Sequence, residues 1–183
     1  LFNNLIQDII ILRKLGLSIF LIHGGGSKIS KRLDDLNIKS NFINGLRITD
    51  DKIIDIVEDI LVQFNKEIVN ALKDGSCQAR GITTKEYNII TVKPENNELG
   101  FVGTPTHIKI SVLKEIVKAN EVPVIAPLGL DKDSQTFNIN ADTAAGAIAK
   151  ELKVRRLLIL SDVEGVLNKE KKLIPEINSD QAK

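Results

Sequence analysis

The chain has 183 residues, 43% of them hydrophobic and 27% charged, long enough to bury roughly 70% of its unfolded surface in one core. Twenty-five basic residues against twenty-four acidic ones leave a net charge of +1, which supplies little long-range attraction to nucleic acid or an acidic membrane. A single cysteine (Cys77) and two histidines (His23 and His107) exclude a disulfide framework and a Cys/His zinc cluster; no apolar run reaches the roughly 20 residues that cross a bilayer. A soluble, cytosolic protein is expected. The chain has no methionine and opens on Leu1 already inside a helical pattern, so it reads as an internal piece of a longer protein.

Leu1, Leu5, Ile9 and Leu12 recur at helical spacing and Gly16 ends the run. Ser18-Ile19-Phe20-Leu21-Ile22 is short and nearly all apolar, as expected of a strand covered on both faces. Gly24-Gly25-Gly26 leads into a helix over 27–36, and Asn44-Gly45 marks a turn. Asp50 and Asp51 can cap a long helix through Ile53, Ile56, Ile60, Phe64 and Ile68 that ends near Gly75. From Cys77 to about Val102 short alternating segments predict a β-hairpin insertion, and Ser111 is expected to cap the next helix. Val122-Pro123-Val124-Ile125-Ala126 reads as a strand with its proline near the start, residues 141–152 as a small-residue helix, and Leu157-Leu158-Ile159-Leu160 as a third strand. Alternation of apolar strands with helices predicts parallel βαβ units in one α/β domain.

In an open α/β sheet, ligands bind beyond the carboxyl ends of the strands, and three segments leave such ends. His23-Gly24-Gly25-Gly26 allows close backbone approach to an anion at a helix start. It is neither a Walker loop, lacking Gly-Lys-Ser/Thr, nor the dinucleotide fingerprint, since Ile29 replaces the last glycine. It serves equally as a tight strand-to-helix turn, and His23 is better read as a satisfied structural histidine than as a catalyst. Asn138-Ile139-Asn140-Ala141-Asp142 crowds two amides and a carboxylate onto a helix start. N-capping explains Asn140 and the helix dipole Asp142, but neither uses Asn138. Ser161-Asp162-Val163-Glu164-Gly165-Val166-Leu167 is an ordinary loop by composition. Arg47 can clamp a carboxylate or pair with Asp50 or Asp51.

Taken in order, His23-Gly24-Gly25-Gly26, Asn44-Gly45-Leu46-Arg47-Ile48-Thr49, Asn65-Lys66, Glu98-Leu99-Gly100-Phe101-Val102-Gly103, Asn138-Ile139-Asn140-Ala141-Asp142 and Leu160-Ser161-Asp162-Val163-Glu164-Gly165-Val166-Leu167 resemble the acetylglutamate kinases of the amino acid kinase family. The resemblance implies a three-layer αβα sandwich around a mainly parallel sheet, a single domain over 1–183 that is incomplete at both ends, and assembly as a homodimer or larger homo-oligomer. It implies transfer of the γ-phosphoryl group of ATP, with Mg²⁺, to the side-chain carboxylate of N-acetyl-L-glutamate. Gly25 and Gly26 would offer backbone N–H groups to substrate and phosphate, Arg47 would hold the α-carboxylate, and Asn138 would contact acetylglutamate. Asp142 would organise the reaction centre, and Asp162, Val163, Glu164, Gly165, Val166 and Leu167 would border the ATP nucleoside. No all-protein metal site is implied.

Two departures stand out. The family's Lys-x-Gly-Gly segment and a second phosphate-contacting lysine fall outside this sequence, so the polypeptide alone is expected to be a poor kinase or inactive. In Gly81-Ile82-Thr83-Thr84-Lys85-Glu86, Thr84 replaces the second glycine of Gly-x-x-Gly-Lys-Asp, which is expected to stiffen or reshape a loop. The competing readings are a kinase for an amino-blocked aminoadipate, one methylene longer, a non-catalytic metabolite-binding relative, and a generic nucleotide-binding module.

Overall fold

The computed structural model describes residues 2–161, 165–168 and 170–178. Its centre is a parallel sheet of three short strands in the order β1 (Leu21–Ile22), β7 (Val122–Ile125), β4 (Ala79–Ile82). The middle strand shows why its sequence is apolar throughout. Val122 and Val124 join the cluster formed with helices α1 (Phe2–Lys14) and α3 (Asp51–Asp74). Ile125 joins the opposite cluster, with α4 (Ile110–Lys118) and α5 (Ala141–Leu152). Successive side chains point to opposite faces, so helices on both faces demand hydrophobic residues at every position. Pro123 is tolerated because the β1 ladder reaches only Val124 and Ile125, leaving its missing N–H unopposed on that side.

Helix α3 runs 24 residues, about 36 Å at the α-helical rise. Asp50 caps it, its carboxylate accepting from the N–H groups of Lys52 and Ile53 at 3.0 Å each. Its buried stripe of Ile53, Val57, Leu61, Ile68 and Leu72 bridges two clusters, one shared with α2 (Gly26–Asp35) and the other with α1. Asn65 is the one polar residue of that stripe. A hairpin of β2 (Phe42–Ile43) and β3 (Leu46–Arg47) turns through Asn44 (φ 49°) and Gly45 (φ 80°), the left-handed pair that a two-residue hairpin requires.

The structure corrects several expectations. Of 18–22 only Leu21–Ile22 is laddered. Residues 79–82 belong not to a hairpin insertion but to the parallel sheet as β4, paired to β7 over its whole length. The antiparallel hairpin is β5 (Ile90–Pro94) with β6 (Gly103–Ile108), and it is built into a mixed sheet, β5 pairing in parallel with β8 (Leu128–Leu130) and β8 antiparallel with β9 (Thr136–Asn138). Helix α4 begins one residue before Ser111, with Lys109 at its N-cap and no side-chain capping bond. Residues 157–160 form no strand: their side chains are 45–76% exposed and pair with no strand among the described residues, and an apolar run without a ladder partner has nothing to hold it extended.

Candidate functional site

The glycine-rich segment leaves the carboxyl end of β1. His23 extends the ladder by donating its N–H to Ile125 O at 3.3 Å, and Gly25 then serves as N-cap of α2. A Cβ on Gly25 would stand 2.6 Å from Leu61 Cδ2 of α3, so this glycine permits close packing of loop on helix. A Cβ on Gly26 would meet nothing within 4 Å; protein packing does not demand a glycine there. Gly25, Gly26, Arg47 and Asn138 all line one cleft of about 190 Å³, which Asn140 and Ala141 also line.

Arg47 comes to the cleft on β3 and is only 7% exposed. Its Nη2 donates to Gly26 O at 3.1 Å and to Ser30 Oγ at 2.9 Å, and Nη1 donates to Ser40 Oγ. The Phe42 ring packs on the guanidinium at 4.7 Å. Every one of these partners is neutral, and among the described residues no carboxylate lies within ion-pair distance. Neither Asp50 nor Asp51 pairs with it; Asp50 is occupied as a helix cap. Burial pulls the guanidinium below the usual arginine range, partly offset by the negative field of Asp34. A buried cation without a counter-charge is costly unless an anion joins it.

The segment 98–103 ties Arg47 to Asn138. Thr49 donates its N–H to Leu99 O at 3.0 Å and accepts from Phe101 N at 2.7 Å, while Phe101 O accepts from Asn138 N at 2.9 Å. Gly100 has φ +66°, and a Cβ there would lie 2.4 Å from Thr49 O, so the crossing needs glycine. Thr49, fully buried, donates its hydroxyl to Arg47 O at 3.0 Å and accepts from Asn138 Nδ2 at 3.4 Å. Asn138, unexplained by helix capping, thus has a partner two residues beyond the arginine. Asn140 caps α5, accepting from Thr143 N at 3.0 Å.

Asp142 stands exposed in the first turn of α5, one residue past the cleft lining. Asp162, Val163 and Glu164 lie outside the described residues. Gly165, Val166 and Leu167 are exposed and stand apart from the cleft, in a turn closed by a Leu167–Leu173 bridge and by Ile174 N donating to Val166 O at 2.8 Å. Thr84 does not need glycine's freedom, since its φ is negative. Its hydroxyl donates to Glu58 of α3, and Thr136 donates to the same carboxylate at 3.2 Å. Sequence reasoning missed Ser30, Ser40 and Thr49 as partners of the site; small hydroxyl side chains on a helix, a loop and a strand end carry no signal until the chain folds. Among the described residues no group of three or more His, Cys, Asp and Glu side chains is placed to hold a metal ion.

Helices on both faces of a parallel sheet, with a glycine-lined cleft at the strand ends, define an α/β ligand-binding fold. Residues 1–183 match the amino acid kinase family, and the chain belongs to it. It is 65% identical over 182 residues to the acetylglutamate kinase of Pelagibacter ubique (strain HTCC1062), covering 100% of this chain and 63% of that protein. To the acetylglutamate kinase of Rhodospirillum centenum it is 42% identical over 190 residues, covering 96% of this chain and 62% of that one. The crystal structure of smu.665 from Streptococcus mutans UA159 superposes with a TM-score of 0.84 at 27% identity, over 90% of this chain and 68% of that one. The chain therefore spans somewhat less than two thirds of these two kinases' length.

Proposed function

We propose that the full-length protein is a cytoplasmic kinase that transfers the γ-phosphoryl group of ATP to the side-chain carboxylate of N-acetyl-L-glutamate, giving N-acetylglutamyl 5-phosphate in arginine biosynthesis. The observation that carries this reading is the buried Arg47 guanidinium, bonded only to neutral acceptors in the cleft that Gly25, Gly26 and Asn138 also line. An incoming α-carboxylate supplies the missing counter-charge. The 65% identity to the Pelagibacter acetylglutamate kinase supports the choice of acid.

The chemistry fits these groups. A glutamate side chain has a reference pKa near 4.3 and is ionised at neutral pH, so no general base is needed. A carboxylate oxygen forms the new bond to the γ-phosphorus, the bond to the bridging oxygen breaks, and ADP leaves. The protein's task is alignment and neutralisation of charge on the phosphoryl oxygens. In this reading the N–H groups of Gly25 and Gly26 donate to those oxygens, and Asn138 contacts the acetylglutamate. Asp142 orients cationic groups, and the loop from Asp162 to Leu167 borders the nucleoside. Mg²⁺ arrives as part of the substrate, on the ATP phosphates. A homodimer or larger homo-oligomer belongs to the same reading and is checked by sedimentation.

ADP release by the full-length protein tests the activity, with N-acetyl-L-glutamate compared with its one-methylene-longer homologue. Turnover that depends on N-acetyl-L-glutamate and favours it is expected; ATP binding with no response to either acid would overturn the reading. Asp142→Asn is expected to lower kcat on the order of 10²-fold with smaller changes in either KM. Unchanged turnover would remove Asp142 from the site.

A further inference from the structure

His23 and Asn65 lie below the glycine loop, and nothing above uses them. Both are buried. His23 Nδ1 is 2.9 Å from Gly24 O, and its Nε2 is 3.1 Å from Asn65 Nδ2, which also donates to Val124 O at 2.9 Å. Two carbonyl oxygens decide where the hydrogens of these three bonds sit. Gly24 O can only accept, so Nδ1 carries the hydrogen and Nε2 keeps its lone pair. Val124 O can only accept, so the Asn65 amide presents NH₂ to it and, with the second hydrogen, to Nε2. The Phe64 ring meets the imidazole edge-on at 5.2 Å, and Gly81 of β4 leaves the amide its room, since a Cβ there would fall 2.4 Å from Asn65 Oδ1. Burial depresses the basicity of His23, against the pull of its bond to Gly24, which agrees with a neutral ring.

The consequence falls on the Gly24–Gly25 peptide. The peptide is planar and trans, so a carbonyl drawn to His23 turns the Gly25 N–H the opposite way. That N–H makes no backbone hydrogen bond among the described residues, and Gly25 lines the cleft. We propose that His23 and Asn65 are a positioning pair that locks the Gly24–Gly25 peptide plane and so aims the Gly25 N–H at the transferring phosphoryl group. The inference rests on the kinase reading above, and the pair itself touches no reacting atom.

The test uses the full-length protein. His23→Leu is expected to lower kcat about 10- to 100-fold, the scale of a misplacement near 1 Å, while the KM for N-acetyl-L-glutamate moves less than about threefold because Arg47 rides on β3 and keeps its bonds to Ser30 and Ser40. His23→Gln, whose amide offers a donor and an acceptor at similar spacing, is expected to recover most of that loss. Turnover by His23→Leu within about threefold of the unsubstituted protein, or a Gln variant no better than Leu, overturns the proposal. Should the Leu variant fail to fold, ¹⁵N NMR of the unsubstituted protein decides: a ring protonated on Nδ1 and bare on Nε2 at neutral pH supports the pair, and the opposite tautomer or an imidazolium overturns it. Absence of any acetylglutamate-dependent turnover in the unsubstituted protein instead sinks the kinase reading, and this inference with it.

Discussion

Two apolar runs in this chain, Val122–Ile125 and residues 157–160, each follow a helix and carry no charged or hydrogen-bonding side chain, yet they end in opposite states. The first is β7, laddered on both sides and covered by helices on both faces; the second is exposed and unpaired among the described residues. Hydrophobicity alone therefore does not make a strand. The neighbouring ladder does, and with it comes the rigidity that the cleft inherits at the strand ends. The glycine loop leaves that sheet through β1, and Arg47 and Asn138 are held on laddered strands of their own, β3 and β9.

The contrast can be broken or sharpened by substitution. The largest effect is expected from Arg47→Ala in the full-length protein. Losing a buried charged partner of a carboxylate costs about 2–5 kcal/mol, or roughly 30- to several-thousand-fold in N-acetyl-L-glutamate affinity, with ATP affinity nearly unchanged; titration calorimetry with each ligand separates the two. Equal losses would make Arg47 structural. Next comes Gly100→Ala, which forces a side chain into a left-handed position 2.4 Å from Thr49 O. A cost of about 1–3 kcal/mol and a correspondingly lower thermal midpoint are expected, and an unchanged midpoint would mean the 98–103 clamp is not needed.

A smaller effect is expected from pH. Burial holds His23 below the usual histidine range, whereas the unfolded chain takes up this proton near pH 6.5. Below that pH the unfolded state binds the extra proton first, so stability present above pH 6.5 declines as pH falls towards the lowered folded value. The Phe64 ring that meets the imidazole edge-on also carries the Lys28 ammonium, at 4.6 Å. Urea midpoints from pH 7.5 to 5.5 should fall in the unsubstituted protein and fall less in His23→Gln; parallel curves would show that His23 does not contribute. The smallest effect is expected at Leu158, 76% exposed. Leu158→Ser should change the stability of the 183-residue chain by no more than about 0.5 kcal/mol, and a larger loss in denaturant titration would reveal packing there.

The sequence was most informative where local chemistry decides structure. The helix at Ala141–Leu152 and its Asn140 cap, the Asp50 cap of α3 and the Asn44-Gly45 turn are all short-range devices, and each is found where its residues predict. It was least informative where a partner distant in the chain decides. Arg80 and Gly81 interrupt the apolar run of β4, and only its ladder with β7 brings that segment into the parallel sheet. The shared cleft of Gly25, Gly26, Arg47 and Asn138 matches their grouping by motif, whereas the bonds that hold it, through Ser30, Ser40 and Thr49, depend on tertiary approach.

Asn65 has one more effect, on how α3 docks. A purely aliphatic stripe could slide a turn along the sheet at little cost, because leucine and isoleucine accept one another's pockets. An amide in its midst cannot: displaced by one turn it loses both Val124 O and the imidazole, and an unsatisfied buried amide costs about 1–3 kcal/mol. This single polar residue acts as a detent, giving a helix of six turns and more one stopping place on the strands beneath it.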